Sequence, residues 1–167
     1  MHRIKALAMD VDGTLTDGSI YIGDSGEMMK SFYVRDGHAI KHFLPKMGIV
    51  PIVITGRKSG IVMERCREIG IDHVIQGSSD KWNDLKELLS SLDISPDETA
   101  YIGDDVNDLD CMERVGASGC PSDAVKEIVR IAQCVTSSPG GRGAVREFIE
   151  WLGALNEKDL GAERNDQ

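Results

Sequence analysis

Short apolar runs recur along this chain at intervals that leave room for one helix between successive runs. That alternation restricts the possible folds more than any other feature. The runs are Ile4 to Val11, IVPIVIT ending at Thr55, His73 to Ile75, TAYIGDD from Thr99, Ala117 to Cys120, and AQCVT ending at Thr136. Between them, Gly37 to about Met47, Lys58 to Ile69, Ser79 to Leu92, Leu109 to Val115 and the residues after Ser122 are read as helices, and Ala144 to Leu152 adds a last one. A strand, a helix and a second strand in succession pair in parallel through a right-handed crossover. The expected fold is therefore α/β, a three-layer open sheet of mainly parallel strands with helices on both faces. In such sheets the ligand lies beyond the carboxyl ends of the strands.

One segment breaks the alternation. Ile20 to Ile22 and Glu27 to Tyr33 flank a Gly-Asp-Ser-Gly turn, the signature of a β-hairpin inserted after the first strand. Only this hairpin and one helix separate the first strand from Thr55, which leaves no room for a cap domain over the strand ends. Residues 1–155 are expected to form a single domain. Residues 156–167, charged and without aromatics, read as a flexible tail.

At 167 residues and 41% hydrophobic, the chain can bury a sufficient core without disulfides. Nineteen Lys and Arg against 28 Asp and Glu give a net charge of -9, which repels nucleic acid and anionic lipid. Cys66, Cys111, Cys120 and Cys134 form no CxxC pair and read as reduced core residues rather than zinc ligands. The N-terminal apolar run meets two carboxylates by position 12, too early for a secretory signal, so the cytoplasm is the expected location.

Unusual polar residues sit at the ends of these predicted strands. Asp10 and Asp12 end the first, Thr55-Gly56-Arg57 the second, Lys81 follows Gln76-Gly77, and Asp104, Asp105 and Asp108 follow TAYIG. If the sheet assembles as expected, these ends converge on one crevice. Carboxylates crowded there need a cation, and an oxygen-only donor set points to magnesium, Mg2+. A metal with open positions suits a phosphate, which Thr55 and Lys81 can hold. Asp10 can attack while Asp12 carries a proton, which splits hydrolysis into two displacements through an aspartyl-phosphate.

MDVDGTLTDG, ITGR, the spaced Lys81 and YIGDDVNDLD together resemble the four motifs of the haloacid dehalogenase superfamily of aspartate-nucleophile phosphatases. The resemblance implies Asp10 as nucleophile and metal ligand, Asp12 as acid/base and backbone ligand, Asp104 as the remaining protein ligand, and Asp105 and Asp108 around the metal. FYVRDGHAIK, VITGRKSGIV, QGSSDK and PGGRGAVREFIEWL extend it to the capless branch that dephosphorylates acidic sugars such as 3-deoxy-D-manno-octulosonate 8-phosphate and the nonulosonate 9-phosphates. Members of that branch are homotetramers in which the hairpins associate and a neighbouring subunit helps close the site.

Each motif also has a plainer explanation. An acidic turn explains Asp10 and Asp12, a solvated helix start explains Asp104, Asp105 and Asp108, and a helix cap explains Thr55. Lys81 alone would be a surface lysine. Arg35, Arg57, Arg65 and Arg142 are candidates for a sugar carboxylate, which guanidinium grips bidentately, yet any one can be a surface ion-pair residue. Arg57, beside Thr55-Gly56, has the best placement, and by the resemblance an Arg there looks more like the octulosonate enzymes than the nonulosonate ones. The rivals are a nonulosonate phosphatase, a non-catalytic oligomerisation domain, a receiver-like switch, and a phosphotransferase using the same intermediate. Retention of Asp10, Asp12, Lys81 and Asp104 argues against a degenerate domain. A receiver would carry its acidic nucleophile on a later strand.

Overall fold

The computed structural model describes residues 3–165, with side chains described for residues 3–157. In chain order the elements are β1 (Ala6–Met9), a hairpin of β2 (Tyr21–Gly23) and β3 (Gly26–Met29), α1 (Val34–His42), α2 (Leu44–Met47), β4 (Val50–Thr55) and α3 (Gly60–Ile69). Then come β5 (His73–Gln76), α4 (Lys81–Ser91), β6 (Thr99–Ile102), α5 (Leu109–Met112), β7 (Ala117–Cys120), α6 (Lys126–Ile131), β8 (Cys134–Val135) and α7 (Ala144–Asn165).

The main sheet has the order β5-β4-β1-β6-β7-β8, with every pairing parallel. The strand order reverses beside β1, whose neighbours are β4 and β6. An open α/β sheet leaves a crevice at such a reversal because the two following connections depart to opposite faces. β1 is buried on both sides, which is why its sequence is an apolar run without alternation. Leu7 and Met9 face a core built with α1, α3 and α7. Ala6 and Ala8 face a second core with Leu85, Leu89, Met112 and Ile128. These two cores make the expected three layers. The antiparallel hairpin lies outside the main sheet, and among the described residues no cap domain follows it.

Several helices differ from their sequence limits. The helix expected from Gly37 to Met47 begins at Val34 and is interrupted at Phe43, because Pro45, tolerated in the first turn of α2, has no N–H with which to continue the ladder back to α1. The helix expected from Lys58 starts at Gly60, because the Ser59 side chain caps it by accepting from Val62 N–H at 3.3 Å. The last helix does not stop at Leu152 but continues to Asn165. Asn156, placed by sequence in the tail, is buried. Its side chain accepts from Ile4 N–H at 2.9 Å and donates to Ile4 C=O at 3.2 Å. The domain edge expected at 155 therefore falls short of this clamp; residues 166–167 lie outside the described residues.

Candidate active site

β1 delivers Asp10 to the reversal point. Its backbone N–H donates to Ile102 C=O at 3.0 Å, which fixes it against the end of β6. The chain then makes one wide turn, closed by Thr16 N–H donating to Val11 C=O at 3.0 Å. Gly13 sits in that turn at φ 101, and a Cβ there would lie 2.1 Å from Asp104 Oδ2. Both the backbone and the neighbouring carboxylate demand glycine. Thr14 Oγ1 donates to Asp104 Oδ1 at 3.1 Å, so the β1 turn and the β6 end are joined at the acids themselves.

Lys81, first residue of α4, reaches the same point. Its Nζ donates to Asp10 Oδ1 at 2.6 Å and to Asp108 Oδ1 at 2.7 Å. Asp108 is fully buried and takes further donors: Tyr101 Oη at 2.6 Å on Oδ1, and the N–H groups of Asp104 and Asp105 at 3.1 and 3.3 Å on Oδ2. Asp108 is thus committed to holding Lys81 and the turn after β6. Asp105 is exposed and accepts from Val106 N–H at 2.7 Å, an ordinary start to the short turn that follows.

Oxygen atoms of Asp10, Asp104 and Asp108 lie within 4.8 Å of one another. Burial, then the charge of Asp108, pushes the Asp10 carboxyl well above its ordinary range despite the offset from Lys81. The same two causes push Asp104 up to about 6. Lys81 is raised as well, since the attraction of Asp10 and Asp108 outweighs its desolvation. A bound cation would relieve this crowding of negative charge. The donors are all carboxylate oxygens, the set a hard divalent ion such as magnesium takes. Asp108 has its oxygens occupied, which leaves Asp10 and Asp104 as the side chains fit to bind the ion.

Thr55 is buried at the end of β4, next to β1. It does not cap α3, the role Ser59 performs; its Oγ1 accepts from Arg57 N–H at 3.3 Å. Gly56 follows it, and Arg57 Nε lies 4.0 Å from Asp12 Oδ2. A cavity of about 310 Å³ opens beside Lys81, lined by Ser78, Asp80, Trp82 and Asn107 among others.

The remaining arginines do not converge on Asp10. Arg35 and Arg142 share a cavity of about 410 Å³ with Tyr33 and Arg146. Arg65 pairs with Glu68 at 2.7 Å and lies over the Phe32 ring. The Gly140-Gly141 segment does reach the catalytic turn: Gly141 N–H donates to Thr14 C=O at 3.0 Å, and a Cβ on Gly140 would strike Gly13 C=O.

Sequence reasoning missed Lys30, Glu27, Thr14 and Tyr101. Tyr101 carried a faint signal as the lone aromatic in a fully buried strand, where its hydroxyl must find a partner. Lys30 carried none, because nothing local says which way a lysine after a hairpin will point.

A family model described as haloacid dehalogenase-like hydrolase matches residues 56–149. The chain belongs to that family. Within it, the chain is 46% identical over 151 residues to the 3-deoxy-D-manno-octulosonate 8-phosphate phosphatase of Escherichia coli K12, covering 90% of this chain and 80% of the relative. Two solved structures of such phosphatases share its fold. One, from Moraxella catarrhalis in complex with magnesium, phosphate and KDO, has a TM-score of 0.88 at 37% identity, covering 99% of this chain and 94% of that one. The other, the cobalt-bound form from Haemophilus influenzae, has a TM-score of 0.89 at 36% identity, covering 93% and 91%.

Proposed function

We infer that this chain is a magnesium-dependent phosphatase that hydrolyses 3-deoxy-D-manno-octulosonate 8-phosphate to the free sugar acid and phosphate. The observation that carries the reading is Asp10, buried at the sheet's reversal with Oδ1 held by Lys81 and Asp104 beside it. Its likeness to phosphatases of that substrate, one of them solved with magnesium, phosphate and KDO, supplies the sugar.

Lys81 pins Oδ1 of Asp10, which leaves Oδ2 to attack phosphorus in line with the departing sugar oxygen. Asp12 gives that oxygen its proton, and later takes one from the water that releases phosphate from Asp10. Thr55, Gly56 and Lys81 hold the phosphoryl oxygens, Lys81 itself steered by Asp108. The carboxylates of Asp10 and Asp104 and the backbone carbonyl of Asp12 would hold magnesium, which would supply positive charge to offset the negative charge of the transferring group. Asp105, exposed beside Asp104, would meet this ion only through water. Arg57 is the arginine placed to meet the sugar acid. Arg35 and Arg142 line another cavity and Arg65 pairs with Glu68, so their part in holding substrate is read as one completed with a neighbouring subunit.

The hairpin supports such a neighbour. Ile22 and Met28 are 72% and 65% exposed, and Tyr21 and Met29 are also open to solvent. Apolar side chains displayed together on a two-stranded ribbon mark a surface for association. The reading is a homotetramer whose subunits meet through the hairpins and cover the uncapped sites. Among the described residues no helix is long and apolar enough to cross a membrane; the location read for the enzyme is the cytoplasm. The catalytic unit is read as residues 1–155 together with the Asn156 clamp.

Phosphate release with magnesium across a panel of the octulosonate 8-phosphate, a nonulosonate 9-phosphate, hexose phosphates and p-nitrophenyl phosphate tests this. Strong preference for the octulosonate is expected. Preference for the nonulosonate would keep the mechanism and change the sugar, and no release from any would leave a non-catalytic domain.

A further inference from the structure

The Lys30 side chain is completely covered, while Asp12, on which it rests, keeps 18% of its side-chain surface. An ammonium removed from water must spend its charge on neighbours. Lys30 has two: it donates to Asp12 Oδ1, and Glu27 Oε1 lies 3.0 Å away. The two contacts are unequal, since Glu27 Oε1 is buried and makes no hydrogen bond. Lys30 therefore aims at Asp12, and Glu27 serves as the nearby countercharge.

Glu27 is fixed in turn. Its Oε2 accepts from Ser59 Oγ, and Ser59 is anchored where its N–H donates to Gln76 Oε1 at 2.7 Å. Gln76 ends β5. A continuous polar strut thus runs from the end of β5 through Ser59, Glu27 and Lys30 to one oxygen of Asp12. Its last members come from the hairpin, whose other side chains display apolar groups to solvent.

We propose that Lys30 is a positioning residue for phosphoryl transfer, holding Asp12 by Oδ1 so that Oδ2 faces the reacting oxygens. The inference rests on the phosphatase reading above. As the Asp10 oxygen bonds to phosphorus and the sugar oxygen leaves, the proton on Asp12 Oδ2 passes to that oxygen. As water then bonds to phosphorus and Asp10 leaves, a water proton returns to the same Oδ2. Both transfers need one oxygen at a fixed place, which a carboxylate free to rotate does not provide. A simple fastening of the hairpin to the domain is already supplied by Glu27 and Ser59, without Lys30 reaching Asp12.

The test compares wild type with Lys30→Met, Lys30→Gln and Lys30→Arg on the octulosonate phosphate and on p-nitrophenyl phosphate, with magnesium and with melting curves to verify folding. p-Nitrophenolate leaves without needing a proton, so its release in the first turnover reports attack by Asp10 alone. For Lys30→Met and Lys30→Gln we expect kcat on the sugar phosphate to fall roughly tenfold to hundredfold with KM within about twofold. The first-turnover burst of p-nitrophenolate should keep its wild-type rate, and Lys30→Arg should recover part of kcat. Unchanged kcat in the folded variants overturns the proposal, as does a burst slowed by the same factor as turnover, or failure of both variants to fold, which would make Lys30 a structural fastener. Wild type inactive on both compounds overturns the phosphatase reading itself, and this inference with it.

Discussion

The crevice at the end of β1 and the hairpin that follows it invert the usual arrangement in opposite ways. The crevice buries charge: Asp10, Lys81 and Asp108 are each at most 6% exposed. The hairpin exposes apolar groups, with Ile22 at 72%. Burying charge costs free energy unless partners satisfy it, and displaying isoleucine and methionine wastes the hydrophobic effect unless something covers them. The crevice thus suits a cation and a phosphate, and the hairpin offers apolar side chains to a partner surface. The two are joined, because the hairpin also sends Lys30 inward to Asp12.

The sharpest way to break the crevice is Asp10→Asn. It removes the attacking oxygen and little volume, and turnover should fall by at least about ten-thousandfold with the fold intact by circular dichroism. Near-normal turnover would remove Asp10 from the mechanism. Chelation comes next: EDTA should abolish phosphate release and added magnesium restore it, and full activity in chelator would show that the crowded acids need no ion.

The hairpin side of the comparison is read by light scattering. Wild type should scatter as a particle of four times 18.2 kDa. Ile22→Lys combined with Met28→Lys should yield smaller particles of unchanged secondary structure and reduced activity on the sugar phosphate. A fully active wild-type monomer would remove the neighbour from the site.

Asp36 sharpens the contrast from inside the core. It is 1% exposed, and its Oδ1 accepts from Arg146 N–H at 2.8 Å while its Oδ2 has no hydrogen-bond partner. Unlike the crevice acids it has no lysine. Burial pushes it up to about 6 from 3.8. The folded state therefore binds more protons than the unfolded state between those values, so stability falls as pH rises through that window and stays lower above it. Asp36→Asn does not titrate, and its stability relative to wild type should improve between pH 4 and pH 7, by at most about 3 kcal/mol. Urea melts at the two pH values measure this, and a parallel pH dependence in both proteins would refute it. The smallest effect is expected from Tyr101→Phe, which takes one donor from Asp108 and should cost about 1 kcal/mol in the same melts.

Much of this molecule was legible from residue order alone. Apolar runs and helical spacing are short-range properties, so the parallel sheet, the hairpin and the absence of a cap could be read directly. The acids and Lys81 could be placed in one crevice for the same reason: each follows a strand, and parallel strands bring their carboxyl ends to one edge. Helix limits were less legible, because whether Ser59 or Thr55 caps α3 depends on which side chain turns toward the free N–H groups.

What only the tertiary structure decided are contacts between segments far apart in sequence. Asp108 could be read as a metal neighbour, but only the fold shows Lys81, Tyr101 and two backbone N–H groups occupying its oxygens. Four arginines were candidates in sequence, Arg57 the best placed, and the fold separates Arg57, beside Asp12, from Arg35 and Arg142 in another cavity and Arg65 against Phe32. A long flexible side chain can reach in many directions from one backbone position. Its partner is chosen by packing over the whole domain, which local sequence does not encode.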